Sequence, residues 1–489
     1  MKIVFAFCLL ISSAIAANRP NIVFLFADDQ RPDTIGAHGN EYIQTPHLDR
    51  LAANGLSFTR NYCAGSYSGA VCVASRSMLM TGRYWHRIKD TRNWEGLTTL
   101  PERLGENGYR TFAVGKWHNG LKTLARSFQS GKNIYMGGMS DHTKVPLQEL
   151  KPDGSLTEKE LGTRFSSTHF ADAAIEFIGD QSGDQPYMLY VAFTAPHDPR
   201  NPPPSYRKLY YENRPPLPEN FLPDHPFDNG HVSGKKRDEG LSAHPREYDV
   251  ISDQLCEYYG LITHLDSQVG RILDAIESSE ERDNTIVIYT ADHGLAMGSH
   301  GLLGKQNVYE HSMGSPLIIS GPGVPQGEET DAMTYILDLH KTIYSLCDVD
   351  IPSDIDGQDL STLFKNPDAS VRDSIFLPFQ DIMRAVRNDR FKLHKYPKIN
   401  HTLLFDLIDD PNEMNNLAEH PSYAGIVKQL TALMQDWQKR VGDPSPLSVD
   451  NPGPKEVDFS KIERSLDVWQ PDWIREKYFG GRSEADHGN

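Results

Sequence analysis

The order of apolar runs along the 489 residues predicts an α/β fold, a mostly parallel central sheet sandwiched by helices, with a smaller C-terminal subdomain of antiparallel sheet plus helix. Three observations carry this. First, Asn21-Ile22-Val23-Phe24-Leu25-Phe26-Ala27, Thr111-Phe112-Ala113-Val114, Tyr187-Met188-Leu189-Tyr190-Val191-Ala192-Phe193 and Thr285-Ile286-Val287-Ile288-Tyr289-Thr290 are short, continuous and rich in β-branched or aromatic residues. Strands buried on both faces have that composition. Second, Ile251, Leu255, Tyr258, Ile262, Leu265, Val269, Ile272 and Ile276 step by four and three, which predicts a long helix with one apolar stripe facing the sheet. Third, the short runs Arg384-Ala385-Val386-Arg387, Phe391-Lys392-Leu393 and Leu403-Leu404-Phe405-Asp406-Leu407 precede a helical pattern carrying Ile426, Leu430, Leu433, Trp437 and Val441. They predict the small antiparallel sheet and its covering helix.

Residues 1–16 have the basic start, short apolar core and Ala14-Ile15-Ala16 ending of a secretory signal, which places the mature start at Ala17 and the protein outside the cytoplasm, periplasmic or secreted. The expected organisation is a catalytic α/β domain over 17–368 and a C-terminal subdomain with an extended tail over 369–489. No later run of about 18 uncharged apolar residues occurs, so no membrane span is expected. Lys+Arg 49 against Asp+Glu 66 gives a net charge of −17, and loss of the signal with its single Lys2 moves this to −18. That excludes nucleic acid as a default partner and requires any polyanionic substrate to be met by a local basic pocket. Cys63, Cys72, Cys256 and Cys347 remain after cleavage, a sparse framework for this length, so the core must supply most of the stability. Between 197 and 249 ten prolines deny the chain regular elements, and this excursion reads either as a linker-like loop or as a substrate-shaping lid.

Each of the four strand-like runs leads into polar residues with chemical capacity. Asp28-Asp29 follows the first, Lys116-Trp117-His118 the second, Pro196-His197-Asp198 the third and Asp292-His293 the fourth. Ligands of open α/β sheets bind outside the carboxyl ends of the strands, so four such endings predict one convergent site. Adjacent carboxylates repel each other unless neutralised, and a hard divalent cation with oxygen ligands is the natural remedy. Cys72 opens a helix-compatible stretch, Val71-Cys72-Val73-Ala74-Ser75-Arg76, where free backbone N–H groups and Arg76 favour an anion or a nucleophile. Lys116, His118, His197 and Lys305, each unremarkable alone, together make a basic cup for a tetrahedral oxyanion, with imidazoles that can move protons.

With these residues in view, 19–416 resembles the type I, formylglycine-dependent sulfatases of the alkaline phosphatase superfamily. The likeness rests on Arg19-Pro20-Asn21-Ile22-Val23 leading to Asp28-Asp29, Thr45-Pro46-His47-Leu48-Asp49-Arg50, the Cys-x-Ala-x-Arg signature at Cys72 and Gly115-Lys116-Trp117-His118. Ala195-Pro196-His197-Asp198-Pro199, Asp292-His293-Gly294 and Leu404-Phe405-Asp406-Leu407 with Asp410-Pro411 complete it. The resemblance implies that Cys72 is oxidised to formylglycine by a maturation enzyme, and that Asp28, Asp29, Asp292 and His293 hold calcium, with magnesium the other candidate. It implies that Arg76 and Lys116 stabilise residue 72, and that Lys305 and His197 meet the sulfate and leaving-group oxygens. In the implied chemistry one hydroxyl of the hydrated aldehyde attacks sulfur, His197 protonates the departing alcohol and His118 assists expulsion of sulfate. Ala74 stands where the family commonly has proline, and His293 where Asn or Gln is more frequent.

The expected function is removal of sulfate from a sulfated carbohydrate, with Asp198 and Arg200 as candidate substrate contacts. Scattered Arg87, Arg92, Arg207, Lys235, Lys236 and Arg237 point the same way, although solvation of the surface explains those charges equally well. The alternatives are an arylsulfatase, a phosphodiesterase or phosphonate hydrolase on small substrates, and a silent sulfated-glycan binder should Cys72 stay a thiol.

Overall fold

In the computed structural model, residues 19–459 are described except for 184 and 233–237. The signal segment, residues 460–489 of the expected tail, and Lys235, Lys236 and Arg237 lie outside the described residues. The four apolar runs are strands, and they are neighbours. The ten-stranded sheet comprises β1 (Asn21–Ala27), β2 (Gly55–Phe58), β3 (Arg110–Lys116), β4 (Ser130–Tyr135), β5 (Pro146–Leu150), β6 (Glu160–Leu161), β7 (Tyr187–Ala192), β8 (Thr285–Ala291), β9 (Leu317–Ser320) and β10 (Glu328–Thr330). Its order is β10-β2-β9-β8-β1-β7-β3-β4-β5-β6. The run from β8 to β4 is parallel throughout, and antiparallel pairing enters through β9 on one side and β5 on the other.

Alternation explains the sandwich. In β1, Ile22, Phe24 and Phe26 enter one core while Val23, Leu25 and Ala27 enter the other, and β7 and β8 divide in the same way. One face is covered by α1 (Pro46–Ala53), α3 (Ser166–Gly179) and the C-terminal half of α5 (Tyr248–Glu277). The opposite core takes in α2 (Val71–Thr81) and α6 (Asp338–Leu346), and it continues into the second sheet and α7 (Ala424–Val441). That second sheet is antiparallel, in the order β11 (Ile375–Phe379), β12 (Met383–Arg387), β13 (Phe391–Tyr396) and β14 (His401–Asp406).

Three expectations are corrected. The proline-rich excursion is not devoid of regular structure: α4 (Pro204–Glu212) forms inside it, with Pro204 at the first turn, where the missing N–H costs nothing, and no further proline until Pro215. The small sheet has a fourth strand, β11, whose Pro378 is tolerated because it is an edge strand. Only the C-terminal half of α5, from Leu265 onward, faces the sheet. Ile251, Leu255, Tyr258 and Ile262 pack instead with Tyr210, Leu295, Met297 and Leu303.

The small sheet is tied to the last helix by a buried ion pair. Arg384 Nε and Nη2 meet the two carboxylate oxygens of Asp443 at 2.8 and 3.0 Å, and Tyr67 Oη donates to Asp443 at 2.7 Å. Burial opposes the carboxylate, but His86, Arg384 and Tyr67 together hold Asp443 far below its ordinary value of 3.8. Its contribution is therefore fully present above about pH 4 and disappears only as acid protonates it in the native state. Asp443→Ala leaves the Arg384 charge buried without its partner, and a loss of about 3–5 kcal/mol is expected in urea denaturation at neutral pH. The double change Arg384→Met with Asp443→Leu should cost less than the single one.

Candidate active site

The four central strands present their carboxyl ends side by side, and the residues that follow converge. Asp28, Asp29, Asp292 and His293 are all at most 1 % exposed. Asp28 N donates to Ala195 O at 3.1 Å, Asp292 N to Ala27 O at 3.3 Å and Asp29 N to Asp292 Oδ1 at 3.0 Å, so two backbone bonds and one to a carboxylate lace the three strand ends together. Asp29 adopts a left-handed φ of +67°, unusual for a residue with a side chain, and Tyr258 Oη of α5 donates to its carbonyl at 2.6 Å. This is the contact that makes the N-terminal half of α5 part of the site.

Three cations answer the three carboxylates. Lys305 Nζ donates to both oxygens of Asp29 at 2.8 Å, Lys116 Nζ bonds Asp28 Oδ2, and Arg76 Nη2 lies 3.4 Å from Asp292 Oδ2 and 3.8 Å from Asp28 Oδ1. Arg76 is fixed from behind: Nη1 donates to Lys116 O and to Tyr190 Oη, and the guanidinium lies 4.8 Å above the ring centre of Phe26. Even so, burial, together with Asp28 and Asp292, pushes the Asp29 carboxyl up to about 7 against the pull of Lys305 and His293.

The donor set fits a divalent cation. One oxygen from each of Asp28, Asp29 and Asp292 lies within 4.8 Å of the others. Ligands on one calcium ion at about 2.3–2.6 Å can stand up to about 5.2 Å apart, so the spacing is right. Among the described residues, Asp28 Oδ1 and His293 Nε2 are buried without a hydrogen-bond partner. His293 Nδ1 meets the carbonyl oxygen of Gly294 at 2.9 Å, and because a carbonyl only accepts, Nδ1 carries the proton and Nε2 is left as the ligating atom, 3.4 Å from Asp29 Oδ1. Burial works against an imidazolium here, yet Asp292 and Asp29 push His293 up to about 9, the response of a site that needs positive charge.

Cys72 stands at the second residue of α2 and is 2 % exposed. Its Sγ is 3.2 Å from His118 Nδ1 and 3.9 Å from Lys116 Nζ. Burial would raise the thiol, but Lys116, His118 and Lys305 hold it well below its ordinary value of 9.0. The next residue to His118 secures this register: Asn119 Nδ2 lies within hydrogen-bond distance of Val73 O, Ser77 Oγ and Thr91 O, pinning the His118 loop to α2. His197 Nδ1 contacts Asp198 through its carbonyl at 2.8 Å and its carboxylate at 3.2 Å, and Nε2 lies 3.6 Å from Asp29 Oδ2.

A cavity of about 370 Å³ opens on these groups, lined by Cys72, His118, His197 and Lys305 and by residues that sequence reasoning missed: Gly138, Met139, His231, Asp238, Gln306 and Gln380. His231 and Asp238 come from the proline-rich excursion, which thus forms part of the wall. Gly138 follows β4, a fifth parallel strand ending at the site, and the Gly137-Gly138 pair was the available signal. Arg200 departs from expectation. It is 3 % exposed, donates to Gln254 Oε1 at 2.7 Å and is not in the cavity wall, because α5 supplies a buried acceptor that holds it away. Asp198 is not in the cavity wall but contacts His197, and one of its carboxylate oxygens lies within 4.8 Å of ligand atoms of both His197 and Asp29. Arg87 and Arg207 pair with Asp356 and Glu257, and neither they nor Arg92 line the cavity. The four described cysteines are free.

Over most of its length the chain is similar to sulfatases, and also to a multifunctional alkaline phosphatase superfamily protein of Trinickia caryophylli, 26% identical over 86% of this chain and 95% of its own. Residues 20–349 match the family described as Sulfatase, and 298–440 match N-sulphoglucosamine sulphohydrolase, C-terminal. An N-acetylglucosamine-6-O-sulfatase of Bacteroides thetaiotaomicron is 27% identical over 92% of this chain and 90% of its own. An arylsulfatase of Clostridium perfringens is 26% identical over 85% and 94%. A solved structure of a protein in complex with its substrate, D-glucosamine-2-N,6-O-disulfate, superposes with a TM-score of 0.74 at 24% identity, covering 88% of this chain and 99% of that one.

A Cβ at Gly138 would stand 2.5 Å from His118 Nε2. Gly138→Ala should push the imidazole off Cys72 and lower kcat on the order of 10²-fold, with a melting temperature close to that of the wild type. Parallel kinetics and calorimetry check this.

Proposed function

The chain belongs to the sulfatase family and is a sulfuric ester hydrolase, and from that premise we propose that it removes sulfate from sulfated carbohydrates with formylglycine made from Cys72. The observation that carries the substrate class is the cavity wall. Among the described residues it holds imidazoles, carboxamides and Asp238 but no Phe, Tyr or Trp, a lining for a polyhydroxylated leaving group rather than an aromatic one. The likeness to an N-acetylglucosamine-6-O-sulfatase supports the same reading.

Asp28, Asp29, Asp292 and His293 are the proposed ligands of the family's metal, with calcium favoured because three of the four donors are carboxylates. When bound, that ion supplies fixed positive charge where sulfuryl oxygens gain negative charge. Formylglycine at position 72 supplies an oxygen nucleophile whose aldehyde can re-form and release sulfate. The chain's own groups do the rest. Three carboxylates balance Arg76, Lys116 and Lys305, so a divalent ion leaves a surplus of two positive charges, matched by a sulfate dianion. Lys305 projects into the cavity and meets the ester's sulfuryl oxygens, while Arg76 and Lys116 hold the oxygens of residue 72. His197 is the general acid: its Nδ1 is engaged by Asp198, so the proton for the departing alcohol is carried at Nε2. His118 Nδ1, already against the side chain of residue 72, takes the proton when sulfate is expelled. Maturation by a formylglycine-generating enzyme and export by the N-terminal signal complete the proposal.

The similarity to an arylsulfatase favours a second reading, hydrolysis of small aryl sulfates. Sulfate release from a panel of sulfated monosaccharides, compared with 4-nitrophenyl sulfate and 4-nitrophenyl phosphate, decides between them. Preference for a sugar sulfate is expected, and a preference for either nitrophenyl ester would overturn it. Mass analysis of the peptide spanning 61–76 in the exported protein should show sulfur replaced by oxygen and two hydrogens lost at position 72. A thiol throughout would leave only a glycan-binding role. Cys72→Ala should lower turnover on the order of 10³-fold or more, and chelation of the metal should abolish turnover until calcium is restored.

A further inference from the structure

The innermost groups of the cavity are charged and face the sulfate, but one wall is built differently. The turn between β11 and β12 carries Gln380, a neutral residue that lines the same cavity as Cys72 from a part of the chain some 300 residues away. Its backbone is held on both sides by the loop that leads into α2: Ser66 N donates to Pro378 O at 2.9 Å and Gln380 N donates to Ser66 O at 2.7 Å. Gln380 also adopts a left-handed φ of +45°, a conformation uncommon for a residue with a side chain. A turn pinned at two points and held in a strained backbone directs its side chain reproducibly.

That side chain is half committed. Gln380 Oε1 lies 3.4 Å from His231 Nε2, which orients the carboxamide, while Nε2 makes no hydrogen bond among the described residues and lies 3.7 Å from where a Cβ on Gly69 would stand. Gly69 is itself in the cavity wall. One end of the amide is therefore fixed and the other is presented to the cavity beside a residue with no side chain to block it. A carboxamide carries no charge, so it adds nothing to sulfate attraction, and it can bond a hydroxyl whichever of its two ends faces inward.

We propose that Gln380 is a specificity-determining residue that hydrogen-bonds a hydroxyl on the sugar carrying the sulfate, so that the small C-terminal sheet selects the alcohol while the central sheet handles the sulfate. This rests on the carbohydrate reading above. Removing the contact weakens binding of the sugar part only. Gln380→Ala, and Gln380→Asn, which tolerates the left-handed backbone but shortens the amide by one methylene, are compared with the wild type on the sulfated monosaccharide that the wild type cleaves best. A KM about tenfold higher is expected for both variants, with kcat within about twofold, and inhibition by inorganic sulfate is expected to stay as in the wild type. An unchanged KM overturns the proposal. So does a parallel weakening of inorganic sulfate, which would mark a collapsed pocket rather than a lost contact. Absence of turnover on every sugar sulfate by the wild type would bring down the carbohydrate reading and this assignment with it, whereas wild-type turnover with insensitive variants brings down this assignment alone.

Discussion

Three carboxylates buried against one another at the ends of β1 and β8 are the constraint from which most of the site follows. Asp28, Asp29 and Asp292 are withdrawn from water, and three mutually repelling charges at that depth would each cost several kcal/mol if left alone. Their compensation organises the surroundings. Lys116 at the end of β3 and Lys305 from the loop after Asp292 each reach one carboxylate, Arg76 from α2 reaches two, and His293 leaves its Nε2 toward the same centre. The strand ends are adjacent because the strands are adjacent, and the hydrogen bonds donated by the backbone N–H groups of Asp28, Asp29 and Asp292 then hold the acids at a spacing that suits one cation. The same cations that neutralise the acids surround residue 72, so the carboxylates and the side chain at position 72 share one charge cluster.

Precision at residue 72 comes from elements that carry no charge into the site. Asn119 ties the His118 loop to the carbonyl of Val73, and Tyr258 of α5 supports the strained carbonyl of Asp29. On the other side, the loop before α2 is clamped by the small sheet through Ser66 and through the network of Tyr67, Arg384 and Asp443. The C-terminal sheet is thus more than a lateral addition. It shares a core with the central sheet, through Ile375, Leu377 and Phe379 on its edge strand, and it braces the segment that delivers Cys72.

How much of this was legible differs from element to element, for physical reasons. β1, β3, β7 and β8 are buried on both faces, so each had to be a continuous apolar run and was visible as one. β4 is a fifth parallel strand with its end at the site, but Ser130, Lys132 and Asn133 on its partly exposed positions erased the pattern. Pro378 disguised β11, because an edge strand tolerates a residue that a central strand would not. The periodic stripe of α5 was correctly placed along the sequence, yet periodicity says only that a face is buried and not against what. Half of that face packs on the excursion and on the loop after His293 rather than on the sheet.

The sequence by itself determined the kind of chemistry. Acids, lysines, imidazoles and a cysteine placed after apolar strands must meet wherever the strands run parallel, since parallel strands bring all their carboxyl ends to one edge. It also determined the character of the cavity's floor, because those residues sit within a few positions of a strand end. Tertiary structure alone decided the walls and which nearby polar groups are excluded. Gly138, His231, Gln306 and Gln380 come from segments with no common period and no shared motif, and Arg200, only three residues from His197, is drawn away by Gln254. Such residues acquire a role through distances between remote parts of the chain, set by how the small sheet, the excursion and α5 pack, and packing of that kind leaves no local trace in composition or spacing.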